Sequence, residues 1–167
     1  MIEIRELQEQ DILQIAAAFE TIGWNKPASQ YRRYLAAQSK GLRQVLVAFE
    51  NDKFVGYLTI VWQSKYPPFK GGQIPEIQDF NVLPNARRKG IGTKLMDKAE
   101  EIVSRKSPIV GIGVGLQADY GAAQRLYILR GYIPDGRGIV WQNGFPKYDE
   151  QVTVDDDLCL YFTKNLS

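Results

Sequence analysis

Two glycines stand at the start of a helical stretch, directly after three consecutive cationic residues. The segment runs Arg87, Arg88, Lys89, Gly90, Ile91, Gly92, Thr93, between a strand closed by Pro84 and an amphipathic helix. Glycine inside a helix costs about 1 kcal/mol relative to alanine, so two in one first turn require an explanation. The first N–H groups of a helix have no intrahelical partners, and the helix dipole attracts anions there. The segment therefore predicts a pyrophosphate cradle; the alternative is an ordinary loop with solvated basic residues.

Two common nucleotide-binding motifs do not fit this turn. A dinucleotide-binding fingerprint needs a third glycine where this chain has Leu95. A Walker P-loop needs Gly-Lys followed by Ser or Thr, which the turn lacks. A nucleotide-binding protein stays open as a third alternative.

Several kinds of chemistry are excluded by what the sequence lacks. The 167 residues contain no histidine and only one cysteine, Cys159, so a Ser-His-Asp triad, an imidazole-ligated metal site and an internal disulfide cannot be built. We therefore expect no metal, and a reducing, cytoplasmic location. A net charge of +2 is too weak to indicate a nucleic-acid partner. No apolar stretch is long enough for a membrane span, and none follows Met1 as in a secretory signal.

The elements that must position the glycine turn follow from hydrophobic periodicity. The pattern predicts a strand, two helices, three strands, a helix, a strand, a helix and two strands, with a hairpin at Asn51-Asp52. We expect 66–72 to be a surface loop and 132–141 to be one strand. With 44% hydrophobic residues, the composition suits one domain over residues 1–167. The fold class is α/β (α+β), a mixed central sheet of about seven strands flanked by about four helices.

Three segments in order give the chain a family resemblance. The glycine turn resembles the signature Gln/Arg-x-x-Gly-x-Gly/Ala of the GNAT superfamily of acyl-CoA-dependent N-acetyltransferases, matched here by Arg87, Gly90 and Gly92. Two further segments, the strand at 76–82 and the stretch at 123–132, are similar to other core segments of that family. The order of strands and helices along nearly the whole chain also resembles its fold. One departure is Tyr120, which stands where many members have an asparagine that contacts the cofactor.

The resemblance implies that acetyl-CoA is the co-substrate. The glycine turn with its cations would bind the phosphates, and the backbone of Phe80, Asn81 and Val82 would hydrogen-bond the pantetheine arm as an added strand does. Gly111, Gly113 and Gly115 alternate along the neighbouring strand, and we expect a face without side chains to leave space for that arm. The alternative for these glycines is close helix packing.

Catalytic roles follow from the resemblance together with the needs of the reaction. An alkyl amine must lose a proton before it attacks a thioester, because its pKa is about 10.4. Glu76 is the first candidate base and Asp79 the second, with a structural carboxylate as the alternative for each. Tyr127 is the candidate acid that protonates the departing thiolate, the alternative being a core aromatic. The N–H of Val82 would polarise the carbonyl.

The acceptor is expected to be a small-molecule or peptide amine. Aromatic side chains outside the cofactor core suit a cationic or planar acceptor, and the alternative is core or dimer packing. They are Trp24, Tyr31, Tyr34, Tyr66 and Phe69. Acidic residues 149–157 either steer such a substrate or are simply solvated.

We expect direct attack by the bound amine, without a covalent enzyme intermediate, and no nucleic-acid or membrane partner. A homodimer stays open. The competing interpretation is a non-catalytic module that binds or senses acyl-CoA.

Overall fold

A computed structural model describes all residues from Met1 to Ser167. Eight strands and five α-helices form a mixed α/β fold, as expected, with one strand and one helix more than the periodicity predicts. The strands are β1 (Ile2–Glu6), β2 (Arg43–Glu50), β3 (Lys53–Val61), β4 (Glu76–Val82), β5 (Ile109–Gly115), β6 (Ile133–Pro134), β7 (Val140–Trp141) and β8 (Leu158–Asn165). The helices are α1 (Ile12–Thr21), α2 (Ala28–Ser39), α3 (Pro67–Gly72), α4 (Ile91–Ser104) and α5 (Gly121–Leu129). None of these helices has the length and apolarity needed to cross a membrane.

The chain divides into two compact units. The first unit comprises residues 1–62 and 77–102, and the second comprises residues 63–76 and 103–167.

The first unit is built on β1 to β4, which lie side by side in that order. The β2–β3 hairpin forms at Asn51 and Asp52 as predicted, and both residues adopt the positive φ that a tight hairpin turn requires. Apolar side chains of α1, α2, β2 and β3 supply the core, among them the fully buried Phe19 and Tyr31. The core therefore comes from helix faces with the predicted 3.6-residue period and from strands buried almost throughout.

The second unit is built around β8, which pairs antiparallel with β5, β6 and β7. An aromatic cluster forms its core: Tyr66 stacks on Tyr161 with ring centroids 3.7 Å apart, and Phe69 meets both rings edge-on. Phe69 is 1% exposed, so its burial anchors the short helix α3 that carries it.

Two of the predicted elements are wrong in this unit. Residues 67–72 form a short helix rather than a surface loop, because Pro67 at the first helical position is preorganised for a helix and Phe69 is buried. The predicted strand 132–141 is two short strands. Gly136 and Gly138 interrupt it with positive φ, and Asp135 accepts the N–H of Arg137 in a turn.

The glycines of β5 do not leave open space. A Cβ on Gly111 would overlap the ring of Phe69, one on Gly113 would lie 2.9 Å from Tyr161, and one on Gly115 would lie 2.5 Å from Tyr120. The prediction of a bare face open to a pantetheine arm is therefore wrong for these positions. Aromatic rings fill the space that the missing side chains leave.

Candidate active site

The glycine turn presents free backbone donors at the start of α4. The N–H of Lys94 donates to the carbonyl of Gly90 at 3.0 Å, which is the first hydrogen bond of the helix. No backbone carbonyl accepts from the N–H groups of Ile91, Gly92 or Thr93. The predicted helix start is therefore present, with three donors available to an anion.

The two glycines of the turn serve different purposes. Gly90 has φ of 77°, a left-handed conformation that glycine adopts without strain, and a Cβ there would meet nothing. Gly92 is helical, but a Cβ there would lie 3.0 Å from the tip of the Phe80 ring. Gly90 therefore shapes the turn, and Gly92 lets the helix approach β4.

The three cations ahead of Gly90 are all exposed but differ in their partners. Lys89 forms an ion pair with Glu50 at 2.9 Å. The Nε of Arg87 donates to the carbonyl of Val82 at 3.2 Å. Arg88, with φ of 63°, has no side-chain partner in the chain. Its guanidinium is the cation most available to a bound phosphate.

The strand segment before the turn is tightly packed against β3. A Cβ on Gly56 would lie 2.7 Å from the carbonyl oxygen of Asn81, and the N–H of Leu83 donates to Val55 at 2.9 Å. Gly56 thus lets the two backbones approach closely. Within this segment, Asp79 has φ of 51°, so extended backbone is interrupted one residue before Phe80.

Five side-chain donors surround the carboxylate of Asp79. Its Oδ1 accepts from Lys26 at 2.8 Å and Asn81 at 2.9 Å, and its Oδ2 accepts from Tyr57 at 2.5 Å, Tyr34 at 2.8 Å and Gln30 at 3.0 Å. Burial alone would raise the pKa of this carboxyl group, but the Lys26 ammonium and the hydrogen bonds outweigh it and hold the pKa below its usual value. Asp79 is therefore ionised, and its lone pairs are occupied.

Glu76 is a buried carboxylate in the second unit, 4% exposed. The hydroxyl of Ser64 donates to its Oε2 at 2.5 Å and accepts the backbone N–H of Tyr66 at 3.0 Å.

Burial raises the pKa of the Cys159 thiol to about 11, and the negative charges of Asp157 and Glu76 add to this. Cys159 is therefore a neutral thiol near pH 7.

Tyr127 is also buried in the second unit, at 4% exposure. Burial raises the pKa of its hydroxyl, and no side chain or backbone group of the chain hydrogen-bonds that hydroxyl.

Tyr120 differs, because its hydroxyl donates to Asp156 at 2.7 Å while its ring covers Gly115. Tyr120 thus tethers the acidic segment rather than offering an amide as asparagine would.

The aromatic residues considered for acceptor binding are largely core residues. Tyr31, Tyr66 and Phe69 are at most 1% exposed, whereas Trp24 and Tyr34 are half-buried. Ordinary packing therefore accounts for the three buried rings.

The structure places the expected site residues in two groups. The first unit brings Asp79 and Phe80–Val82 together with Arg87–Thr93, and the second unit holds Glu76 and Tyr127. Sequence reasoning missed Lys26 and Ser64, the partners of the two carboxylates. No local signal marks Lys26, since 53 positions separate it from Asp79.

Comparisons with known proteins agree with this architecture. The sequence model of the Acetyltransferase (GNAT) family matches residues 9–132. No curated protein is significantly similar to the chain in sequence.

Solved structures extend the likeness to the whole fold. The yncA protein of Salmonella typhimurium, solved with its cofactor acetyl-CoA, is 20% identical with a TM-score of 0.70 over 99% of this chain and 94% of that one. The paia N-acetyltransferase of Thermoplasma acidophilum, in complex with coenzyme A, is 15% identical with a TM-score of 0.66 over 96% and 98%. An N-acetyltransferase of Staphylococcus aureus is 17% identical with a TM-score of 0.71 over 100% and 99%. With the family match over most of its length, this chain belongs to the GNAT family of acetyltransferases.

Proposed function

We propose that this protein transfers an acetyl group from acetyl-CoA to a primary amine by direct attack in a ternary complex. The observation that carries the proposal is the start of α4, where three unpaired N–H groups follow a run of three cations. Such a turn suits a diphosphate, because backbone donors and the helix dipole act on the same anion. Two solved structures that share the fold contain acetyl-CoA or coenzyme A.

The residues of the first unit fit this co-substrate. Arg88 has no partner in the chain and can pair with a phosphate, while Lys89 would have to share its charge with Glu50. The backbone of Phe80, Asn81 and Val82 would hold the pantetheine arm, and the N–H of Val82 would polarise the thioester carbonyl.

Glu76 remains the first candidate for the base. The five donors on Asp79 leave its carboxylate little capacity to take a proton from the substrate. Glu76 is buried and accepts from Ser64. In the proposed reaction Glu76, directly or through a water molecule, takes the proton of the acceptor ammonium.

Tyr127 would act at the other end of the reaction. The neutral amine attacks the thioester carbon, a C–N bond forms, and the C–S bond breaks as the intermediate collapses. The hydroxyl of Tyr127 donates its proton to the departing sulfur, and the extra proton on the attacking nitrogen passes through water to the phenolate, which restores Tyr127. Burial raises the pKa of this hydroxyl, so it stays protonated at neutral pH, and it has no competing partner in the chain.

The proposal is tested first by ligand binding and then by turnover. Acetyl-CoA should raise the melting temperature more than ATP or NAD does, because a ligand that binds only the folded state stabilises it. A panel of small amines and amine-bearing peptides should then yield saturable release of CoA. Tyr127→Phe and Glu76→Gln should each lower kcat about 100-fold or more while acetyl-CoA still binds.

Matched controls separate catalysis from packing. Tyr148→Phe and Glu20→Gln make the same chemical changes at exposed positions, and both should leave kcat unchanged. Binding of acetyl-CoA without turnover across the whole panel would instead indicate a non-catalytic acyl-CoA sensor. Stronger stabilisation by ATP or NAD would indicate a nucleotide-binding protein.

A further inference from the structure

The ion pair between Lys26 and Asp79 joins distant parts of the first unit. Lys26 lies in the segment between α1 and α2, and its ammonium is 2.8 Å from Asp79 and 3.1 Å from the hydroxyl of Tyr57. The ammonium also lies 5.8 Å from the ring centre of Phe19. Both members of the pair are about 20% exposed, so solvent screens the pair only partly.

The other donors to Asp79 come from α2 and β3. Gln30 and Tyr34 reach it from α2, and Tyr57 reaches it from β3. A partly buried carboxylate with this many donors is destabilised when one of them is lost, because its charge is then less well compensated. The carboxylate therefore fixes the position of β4 against three other segments.

The anchored residue also has unusual backbone geometry. Asp79 adopts φ of 51° within β4, a conformation that costs free energy for a residue with a side chain and persists only where surrounding contacts impose it. Asn81, two residues later, donates to the same carboxylate at 2.9 Å. The side chain of Asp79 is thus hydrogen-bonded to the segment that directly follows its own left-handed turn.

We infer that Asp79 is a positioning residue: paired with Lys26, it holds the left-handed turn of β4 and so sets the orientation of the backbone at Phe80–Val82. The consequence for acetyl-CoA rests on the proposed function, in which this backbone binds the pantetheine arm. Asp79 then acts through the strand and takes no proton from the substrate.

The test compares substitutions on the two sides of the ion pair. Asp79→Asn keeps a residue that tolerates positive φ but removes the charge, and Lys26→Met removes the ammonium. If Asp79 positions the strand, both variants should raise KM for acetyl-CoA about tenfold, and the double variant should be no worse than the worse single one. The pH profile of kcat should keep its shape in all three. Asp79→Ala, which keeps neither the hydrogen bonds nor the tolerance of positive φ, should be worse than Asp79→Asn.

A second measurement does not depend on activity. Hydrogen exchange of the β4 amides at Phe80–Val82 should become at least about tenfold faster in Asp79→Asn and in Lys26→Met, because the contacts that hold this segment are lost. Asp52→Asn changes another aspartate at positive φ on an exposed hairpin, and Lys40→Met changes an exposed lysine. Both controls should match the wild type.

The outcomes separate the two hypotheses. Unchanged exchange in folded Asp79→Asn would overturn the positioning role whether or not the protein is active. Loss of kcat and of the acidic limb of the pH profile in Asp79→Asn, with Lys26→Met unaffected, would overturn it in favour of a base. Faster exchange in both variants, in a protein that does not bind acetyl-CoA, would support the positioning role and contradict the proposed function.

Discussion

The ring of Phe80 faces Gly92 so closely that a Cβ at residue 92 would stand 3.0 Å from the ring tip. This contact sets how closely the first turn of α4 approaches β4. The glycine therefore has a packing role that is separate from any contact with a ligand.

Gly92→Ala should weaken acetyl-CoA binding about fivefold, equivalent to roughly 1 kcal/mol, because the added methyl group pushes the helix start away from Phe80. Isothermal titration calorimetry measures this directly. Gly121→Ala is the matched control, since Gly121 begins α5 and a Cβ there would meet nothing. Equal affinities of the two variants would contradict the packing role.

Glu50→Gln should strengthen acetyl-CoA binding, by up to about fivefold, because it releases Lys89 from a competing carboxylate. The gain is limited because an exposed ion pair contributes at most about 1 kcal/mol. Lys89→Gln should weaken binding, and both effects should shrink at high salt. Glu20→Gln is the exposed control. Weaker binding by Glu50→Gln would show that the carboxylate orients Lys89 instead of competing for it.

Gly111→Ala should destabilise the second unit by about 1–3 kcal/mol, because its methyl group would overlap the ring of Phe69. Urea unfolding measures the loss. Combining the change with Phe69→Leu should cost less than the sum of the single changes, since the smaller side chain removes the overlap. Gly71→Ala lies on an open helical surface and should be neutral or stabilising. Additive costs in the double variant would mean that Phe69 does not constrain Gly111.

The fold should lose stability as the pH rises above about 10, the ordinary pKa of tyrosine. Burial raises the pKa of seven tyrosine hydroxyls: Tyr31, Tyr34, Tyr57, Tyr66, Tyr120, Tyr127 and Tyr161. These groups keep their protons in the folded state and release them on unfolding, so the unfolded state binds fewer protons and the free energy of unfolding falls.

One tyrosine can be isolated from this effect. Tyr127→Phe should make the loss above pH 10 shallower by about 1.4 kcal/mol per pH unit. Urea unfolding between pH 9 and 11 gives the slope, with the fully exposed Tyr148→Phe as the control. Identical slopes for Tyr127→Phe and the wild type would mean that the hydroxyl of Tyr127 ionises within the folded protein.

Features that depend on neighbouring residues could be predicted from the sequence. Hydrophobic periodicity and the spacing of Gly90 and Gly92 after a basic run predicted the strand, turn and helix at 76–104, because backbone conformation and helix-end chemistry are local properties. The same local signals carried the resemblance to the family, and both the fold class and the family are confirmed.

Which side chain fills each space, and which polar groups are paired, depends on contacts between residues that are far apart in the sequence. Asp79 meets Lys26 across 53 positions, and the glycines of β5 receive the rings of Phe69, Tyr161 and Tyr120. A carboxylate in a strand looks the same in sequence whether it is free or bound by five donors. The distinction arises when folding brings remote side chains to it, because long-range packing determines burial and pairing, and these in turn set its pKa.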